Sequence, residues 1–204
     1  MSDLFESKNG NIHLPVEGAE ILLIKDFLTE TDASMLFETL LAGTNWRQES
    51  VVVWGKSHQQ PRLVAWMGDH SYTYSGLLLR PEPWAEDLKS VKAKIELEAG
   101  SNFNSALLNL YRNGLDRMAA HSDDEVELGP RPIIASLSLG ATRRIRFLPK
   151  NKNSIYKAFS LDLPNGCLLL MKGETQKNWL HEIPKESKLI NPRINITFRK
   201  VRPW

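Results

Sequence analysis

Apolar residues recur along this chain at two spacings, and the change from one to the other divides it. In the first half, Leu36, Leu40 and Leu41 fall at helical spacing behind Thr29-Glu-Thr-Asp32, which resembles a capping box, and Gly43 stops the run. This pattern predicts a helix over Asp32–Ala42. Leu88, Val91 and Ile95 predict a second helix, from Trp84 to about Glu98, behind Pro81-Glu-Pro83. Between and before them, Glu20–Lys25 reads as a buried strand. Trp46–Trp54 and Arg62–Met67 read as strands joined by the polar loop Gly55–Pro61. From Asn102 onward the period drops to two, and strands are expected over 105–112, 133–139, 143–148, 156–161, 166–172 and 192–201. Many short strands with Gly and Pro turns fit a jelly roll or barrel. Residues 1–20 are polar and expected to be loosely ordered, and residues 21–204 to form a single domain without repeats or a linker.

Polar residues interrupt this pattern at chosen places. Asn109 and Tyr111 alternate with Leu108 and Leu110, so an amide and a phenol share the face opposite those leucines. After the turn at Asn113-Gly114 come His121, Asp123 and Glu125. An imidazole and a carboxylate two residues apart on an extended segment point the same way, which is half of a two-histidine, one-carboxylate facial metal site. His181 can supply the other half. Near the end, Arg193, Asn195, Thr197 and Arg199 share one strand face, and Ile194, Ile196 and Phe198 the other. Guanidinium forks suit carboxylates, so this face reads as an anion clamp. A metal triad beside a dicarboxylate clamp implies an enzyme and favours iron, with zinc as the rival ion. Taken singly, each piece has a plainer reading: a structural histidine, a solvated acidic turn, an exposed strand face.

Composition narrows the class without naming a chemistry. The chain has 204 residues, 42% apolar and 25% charged, with a net charge of +2. That balance is ordinary for a globular protein, and any basic surface must be local. The densest basic cluster is Arg143-Arg144-x-Arg146 with Lys150 and Lys152, a candidate for phosphate contacts. One cysteine, Cys167, sits in an apolar run and reads as a buried thiol of an intracellular protein. No signal-peptide pattern or membrane-length apolar run is visible.

The ordered set Tyr72-Thr-Tyr-Ser-Gly76, Asn109-x-Tyr111, His121-x-Asp123-Asp-Glu125, Pro132-Ile-Ile-Ala-Ser-x-Ser-x-Gly140, His181 and Pro192-Arg-Ile-Asn-Ile-Thr-Phe-Arg199 resembles the AlkB family of iron(II)- and 2-oxoglutarate-dependent dioxygenases. It is most similar to the branch that repairs alkylated bases in duplex DNA. The resemblance implies an α+β, mainly β fold: a double-stranded β-helix core over 105–204, with helices and a nucleotide-recognition hairpin over 21–104. It implies Fe(II), 2-oxoglutarate and O2 as cofactors and co-substrates, with His121, Asp123 and His181 as iron ligands. Asn109, Tyr111, Arg193, Thr197 and Arg199 would hold 2-oxoglutarate. Tyr72, Tyr74, Ser75 and Glu125 would surround a flipped-out base. Val53, Trp54 and Gly55 would wedge the duplex, and Arg62, Arg143 and Arg144 would contact DNA. The expected reaction is demethylation of 1-methyladenine and 3-methylcytosine with release of formaldehyde, by an intracellular monomer, cytoplasmic or nuclear, that does not engage membranes. The alternatives left open are an RNA or protein substrate for the same chemistry, and a jelly roll that only binds nucleic acid.

Overall fold

The computed structural model describes residues 11–53, 56–69, 72–74, 77–79, 81–187 and 191–202. In chain order the elements are β1 (Asn11–Leu14), β2 (Glu20–Ile24), α1 (Glu30–Gly43), β3 (Ser50–Val53), β4 (Lys56–Gln59), β5 (Leu63–Gly68), β6 (Tyr72–Tyr74), β7 (Leu77–Leu79) and α2 (Glu86–Ala99). Then follow β8 (Ser105–Tyr111), β9 (Met118–His121), β10 (Ile134–Gly140), β11 (Arg143–Pro149), β12 (Phe159–Leu163), β13 (Leu168–Lys172), the single turn α3 (Thr175–Asn178), β14 (Trp179–Ile183) and β15 (Arg193–Arg199).

A large sheet of seven strands, in the order β1-β2-β13-β10-β15-β8-β5, faces a smaller one of four, β12-β11-β14-β9. All of their pairings are antiparallel. The two sheets enclose one core, in which Leu107, Ile134, Leu169 and Met171 of the large sheet meet Ile145, Phe147, Leu163, Trp179 and Ile183 of the small one. The outer face of the large sheet forms a second core against the helices. There Leu108, Leu110, Leu137, Leu139, Ile194, Ile196 and Phe198 pack under Leu36, Phe37 and Leu40 of α1 and Leu88, Val91 and Ile95 of α2. Each such side chain removed from water stabilises the fold by about 1.5–3 kcal/mol. With both faces covered, the central strands of the large sheet are buried along their whole length, which is why they read as near-continuous apolar runs.

The helices begin and end where local chemistry sets them. Thr29 Oγ1 accepts from the Asp32 N–H at 3.1 Å, fixing the start of α1 two residues earlier than the apolar spacing indicated. Gly140 closes β10 at φ +82°, and a Cβ there would meet the Pro192 carbonyl oxygen at 2.7 Å. Glycine therefore lets β10 turn into β11 beneath the entry to β15.

Three expectations are corrected. Residues 11–20 are not a loose extension, because β1 pairs with β2 from Asn11↔Ile24 to Leu14↔Ile21 and packs Ile12 and Leu14 on the inter-sheet core. An open sheet edge offers unpaired backbone donors and acceptors, and β1 fills that edge. The strand placed at 156–161 is β12 at 159–163, its start set by pairing of Phe159 with Phe147. Besides β1, four strands went unread: β4, inside the stretch read as a loop, β7, β9 and β14, and the last two carry both candidate histidines. Cys167 is buried, as its apolar setting indicated, and burial pushes its thiol up to about 11. No helix among the described residues is long and apolar enough to cross a membrane.

Candidate metal centre and anion cavity

The inner face of the large sheet carries its polar residues in one stripe. On β15, Arg193, Asn195, Thr197 and Arg199 face inward while Ile194, Ile196 and Phe198 face the helices. Register aligns Arg193 with Tyr111, and Asn195 with Asn109 on one side and Ser138 on the other. A cavity between the sheets is lined by Tyr111, Arg193, Asn195, Thr197 and Arg199 from the large sheet, and by His121 and His181 from the small one.

His121 and His181 are direct cross-strand partners on β9 and β14, their rings 4.3 Å apart between centroids. Asp123 lies two residues beyond His121, and the three side chains bring one donor atom each to within 4.8 Å of one another. His121 Nδ1 is 2.9 Å from the Ala119 carbonyl, which can only accept, so Nδ1 carries the proton and Nε2 keeps its lone pair. Burial, and then the neighbouring His121, push the His181 imidazole down to about 3. Burial also lowers His121. Both rings are therefore neutral at pH 7, the ligating form.

Asp123 is 1% exposed and held from two sides. Arg199 donates to Oδ1 from Nη2 at 2.6 Å and from Nε at 3.2 Å. The backbone N–H of Asp123 donates to Gln176 Oε1 at 2.9 Å. Burial alone would raise the Asp123 carboxyl, but Arg199 and then the two imidazoles outweigh it and hold it below the usual carboxylate range. Its second oxygen, Oδ2, is buried without a hydrogen-bond partner and stands 3.9 Å from His181 Nε2. A buried anionic oxygen left without a hydrogen-bond partner among neutral imidazoles is suited to a cation, so these residues fit an iron(II) ion with the rest of its coordination open.

The anion site lies along the same stripe. Arg193 is 1% exposed and donates one hydrogen bond, Nη2 to Ser138 Oγ at 2.8 Å, leaving Nε and Nη1 without partners. Asn195 donates to Ser136 Oγ at 2.7 Å and accepts from Thr197 Oγ1 at 3.0 Å. A buried guanidinium with two idle donors, beside a phenol, an amide and a hydroxyl, fits a carboxylate of 2-oxoglutarate.

Of the residues singled out for iron and 2-oxoglutarate, all but Asn109 line the cavity: His121, Asp123, His181, Tyr111, Arg193, Thr197 and Arg199. Asn109 stands beside them on the inner face and takes the Arg62 Nε bond at 2.7 Å. Arg199 also grips Asp123 through its fork. Glu125 is half-buried just past Asp123. Two DNA-contact expectations meet contrary geometry. Arg62 is 5% exposed and turned onto Asn109. Arg143 is 1% exposed and bonded to backbone carbonyls. A phosphate outside reaches neither. Arg144 is exposed but paired with Asp162 at 3.1 Å, as is Arg146 with Glu182 at 3.3 Å. Trp54, Gly55 and Ser75 lie outside the described residues, and so do the side chains of Val53, Tyr72 and Tyr74. Asn195 was legible on the clamp face, whereas Ser136, Ser138 and Gln176 were passed over as site residues. The serines were legible as period-two polar breaks in Ile134–Gly140, whereas nothing in the sequence pointed Gln176 at Asp123.

Two facing antiparallel sheets with an open two-histidine, one-carboxylate centre beside a buried anion site define a mononuclear iron oxygenase. Residues 20–199 match the model of the 2OG-Fe(II) oxygenase superfamily. The fold is similar to the solved structure of OsALKBH1, at 17% identity and a TM-score of 0.61, covering 93% of this chain and 99% of that one. In sequence the chain is 41% identical over 196 residues to the Homo sapiens alpha-ketoglutarate-dependent dioxygenase alkB homolog 3, covering 93% of this chain and 68% of that protein. It is 41% identical over 160 residues to the Homo sapiens DNA oxidative demethylase ALKBH2, covering 74% of this chain and 60% of that protein. The chain belongs to the AlkB family of iron(II)- and 2-oxoglutarate-dependent dioxygenases.

Proposed function

We propose that this enzyme repairs DNA by oxidative demethylation, taking N-methyl groups from 1-methyladenine and 3-methylcytosine and releasing formaldehyde. The observation that carries the chemistry is the unpartnered Asp123 Oδ2 facing His181, in the same cavity as the idle donors of Arg193. The similarity to proteins named alkB homolog 3 and DNA oxidative demethylase ALKBH2 supports the substrate class. Iron(II) bound by His121, Asp123 and His181 supplies the activation of dioxygen at the expense of 2-oxoglutarate, and the oxidised methyl leaves as formaldehyde.

The residues of this chain do the positioning. Arg199 fixes the Asp123 carboxylate in one rotamer, Gln176 holds its backbone, and the Ala119 carbonyl sets the tautomer of His121. Arg193, seated by Ser138, takes the distal carboxylate of 2-oxoglutarate, with Asn109, Tyr111, Asn195 and Thr197 around it. The inter-sheet core keeps bulk water from the reacting carbon. The methylated base must leave its stack to reach this depth. The family resemblance assigns Tyr72, Tyr74, Ser75 and Glu125 to the base, and Trp54, with Val53 and Gly55, to the gap in a duplex. Duplex is accordingly the preferred form, and the enzyme acts as an intracellular monomer.

The test is release of succinate and formaldehyde from a 1-methyladenine oligonucleotide, single-stranded and duplex, with iron(II) and 2-oxoglutarate. Both products, faster on the duplex, are expected, and Trp54→Ala should cost duplex turnover far more than single-strand turnover. Succinate without formaldehyde would keep the oxygenase and refute the substrate. Equal losses on both strand forms would sink the wedge.

A further inference from the structure

Behind the anion cavity stands another buried arginine, Arg143, that the chemistry above does not use. On β11, Arg143 shares a face with Ile145 and Phe147 and points between the sheets, while Arg144 and Arg146 point to solvent. Its guanidinium donates to three backbone carbonyls: Asn113 at 3.3 Å, Asp116 at 3.0 Å and Pro184 at 2.6 Å. These lie upstream of His121 and downstream of His181. The carbonyls satisfy donors but do not neutralise the charge. Among the described residues the nearby carboxylates are poor counter-ions. Glu186 is 3.9 Å away, with a side chain 35% exposed, and Asp116 is held by Arg112 at 2.8 Å.

Arg143 reaches the cavity through one ring. Its Cζ lies 5.4 Å from the centroid of Tyr111, and Cζ of Arg193 lies 5.3 Å from the same centroid. Tyr111 and Arg193 are themselves cross-strand partners. Two buried guanidiniums thus share one aromatic ring, and Arg193 forms no ion pair among the described residues. Burying like charges together is costly unless an anion arrives.

We propose that Arg143 is a positioning residue for the co-substrate. It sets the Tyr111 ring and places a second buried positive charge behind Arg193, which strengthens binding of a dicarboxylate and discriminates against 2-oxo acids that lack the distal carboxylate. The proposal rests on the reading that Arg193 takes that carboxylate.

The experiment is an anaerobic titration of the iron(II)-loaded enzyme with 2-oxoglutarate and with 2-oxobutyrate, following the visible band that the bound 2-oxo acid gives. Iron(II) affinity is measured alongside. Arg143→Met should weaken 2-oxoglutarate by about tenfold or more, the size of outer-shell effects. It should leave 2-oxobutyrate and iron(II) within about twofold. Arg143→Lys, which keeps the charge but loses the three-carbonyl fork, should recover most of the 2-oxoglutarate affinity. Equal weakening of both 2-oxo acids, or a lysine variant no better than methionine, would make Arg143 a loop staple and overturn the proposal. If Arg143→Met does not fold, Arg143→Gln takes its place with the same expectations. Arg193→Met separates the two readings. Unchanged 2-oxoglutarate affinity in that variant would refute the underlying assignment, whereas a loss there with none in the Arg143 variants refutes this inference alone.

Discussion

The large sheet shows what the same strands do when their two faces have different work. Its outer face is leucine, isoleucine and phenylalanine against two helices, closed and dry. Its inner face sets Arg193, Asn195, Thr197 and Arg199 in a row, all at most 7% exposed, opposite a histidine pair. Alternation along β8, β10 and β15 puts these environments one side chain apart. The outer face carries stability. The inner face gives some of it up, because polar groups buried beside an open cavity keep bonding capacity for ligands that are not part of the chain.

The largest break in this comparison comes from Asp123→Ala. It removes a metal ligand together with the buried carboxylate that Arg199 grips, so turnover should vanish and the iron-free protein should lose about 3–5 kcal/mol. Urea unfolding and formaldehyde release check the two halves separately, and persistent turnover would refute the ligand assignment. On the outer face, Ile196→Ala should cost about 2–5 kcal/mol. The remaining folded enzyme should nevertheless turn over at nearly the wild-type rate, since only packing against the helices is lost.

The reading of both strands' faces came from period-two alternation, and for β8 and β15 it was sufficient. Asn109, Tyr111 and the β15 residues fell on the inner side that the leucines and isoleucines left open. The same rule, applied to Arg143-Arg-Ile-Arg-Phe147, would have separated Arg143 from its neighbours, because it shares parity with Ile145 and Phe147. Reading that run as a charge cluster hid it. β9 and β14 were hidden for a different reason: they are four and five residues long and only partly buried, so they carry little apolar signal. Their existence is decided by pairing with β11 and with each other. The division of labour between Arg193 and Arg199 was equally out of reach, because the Asp123 carboxylate that claims Arg199 comes from a loop 76 residues away in sequence.

A smaller effect separates the faces by pH. His181 is held near 3 when folded, against about 6.5 when unfolded. The unfolded chain therefore binds more protons across that window, and stability of the iron-free protein should fall as pH drops from about 6.5 toward 3. His121 acts in the same direction, and the depressed Asp123 carboxyl adds its own loss as pH falls through the carboxylate range. Urea midpoints at several pH values check this, and a flat profile between pH 7 and 5 would contradict it. The smallest effect belongs to the solvent side of β11. Arg144→Ala should change stability by no more than about 0.5 kcal/mol, as expected of an exposed pair with Asp162.

The central claim is that the inner stripe holds iron and 2-oxoglutarate side by side. Its most direct test is anaerobic iron(II) titration with 2-oxoglutarate present, on the wild-type protein and on Asp123→Ala. One iron per chain and a visible band that appears only with both components are expected, with loss of both in the variant. Wild-type stoichiometry and band persisting in Asp123→Ala would place the metal elsewhere and contradict it.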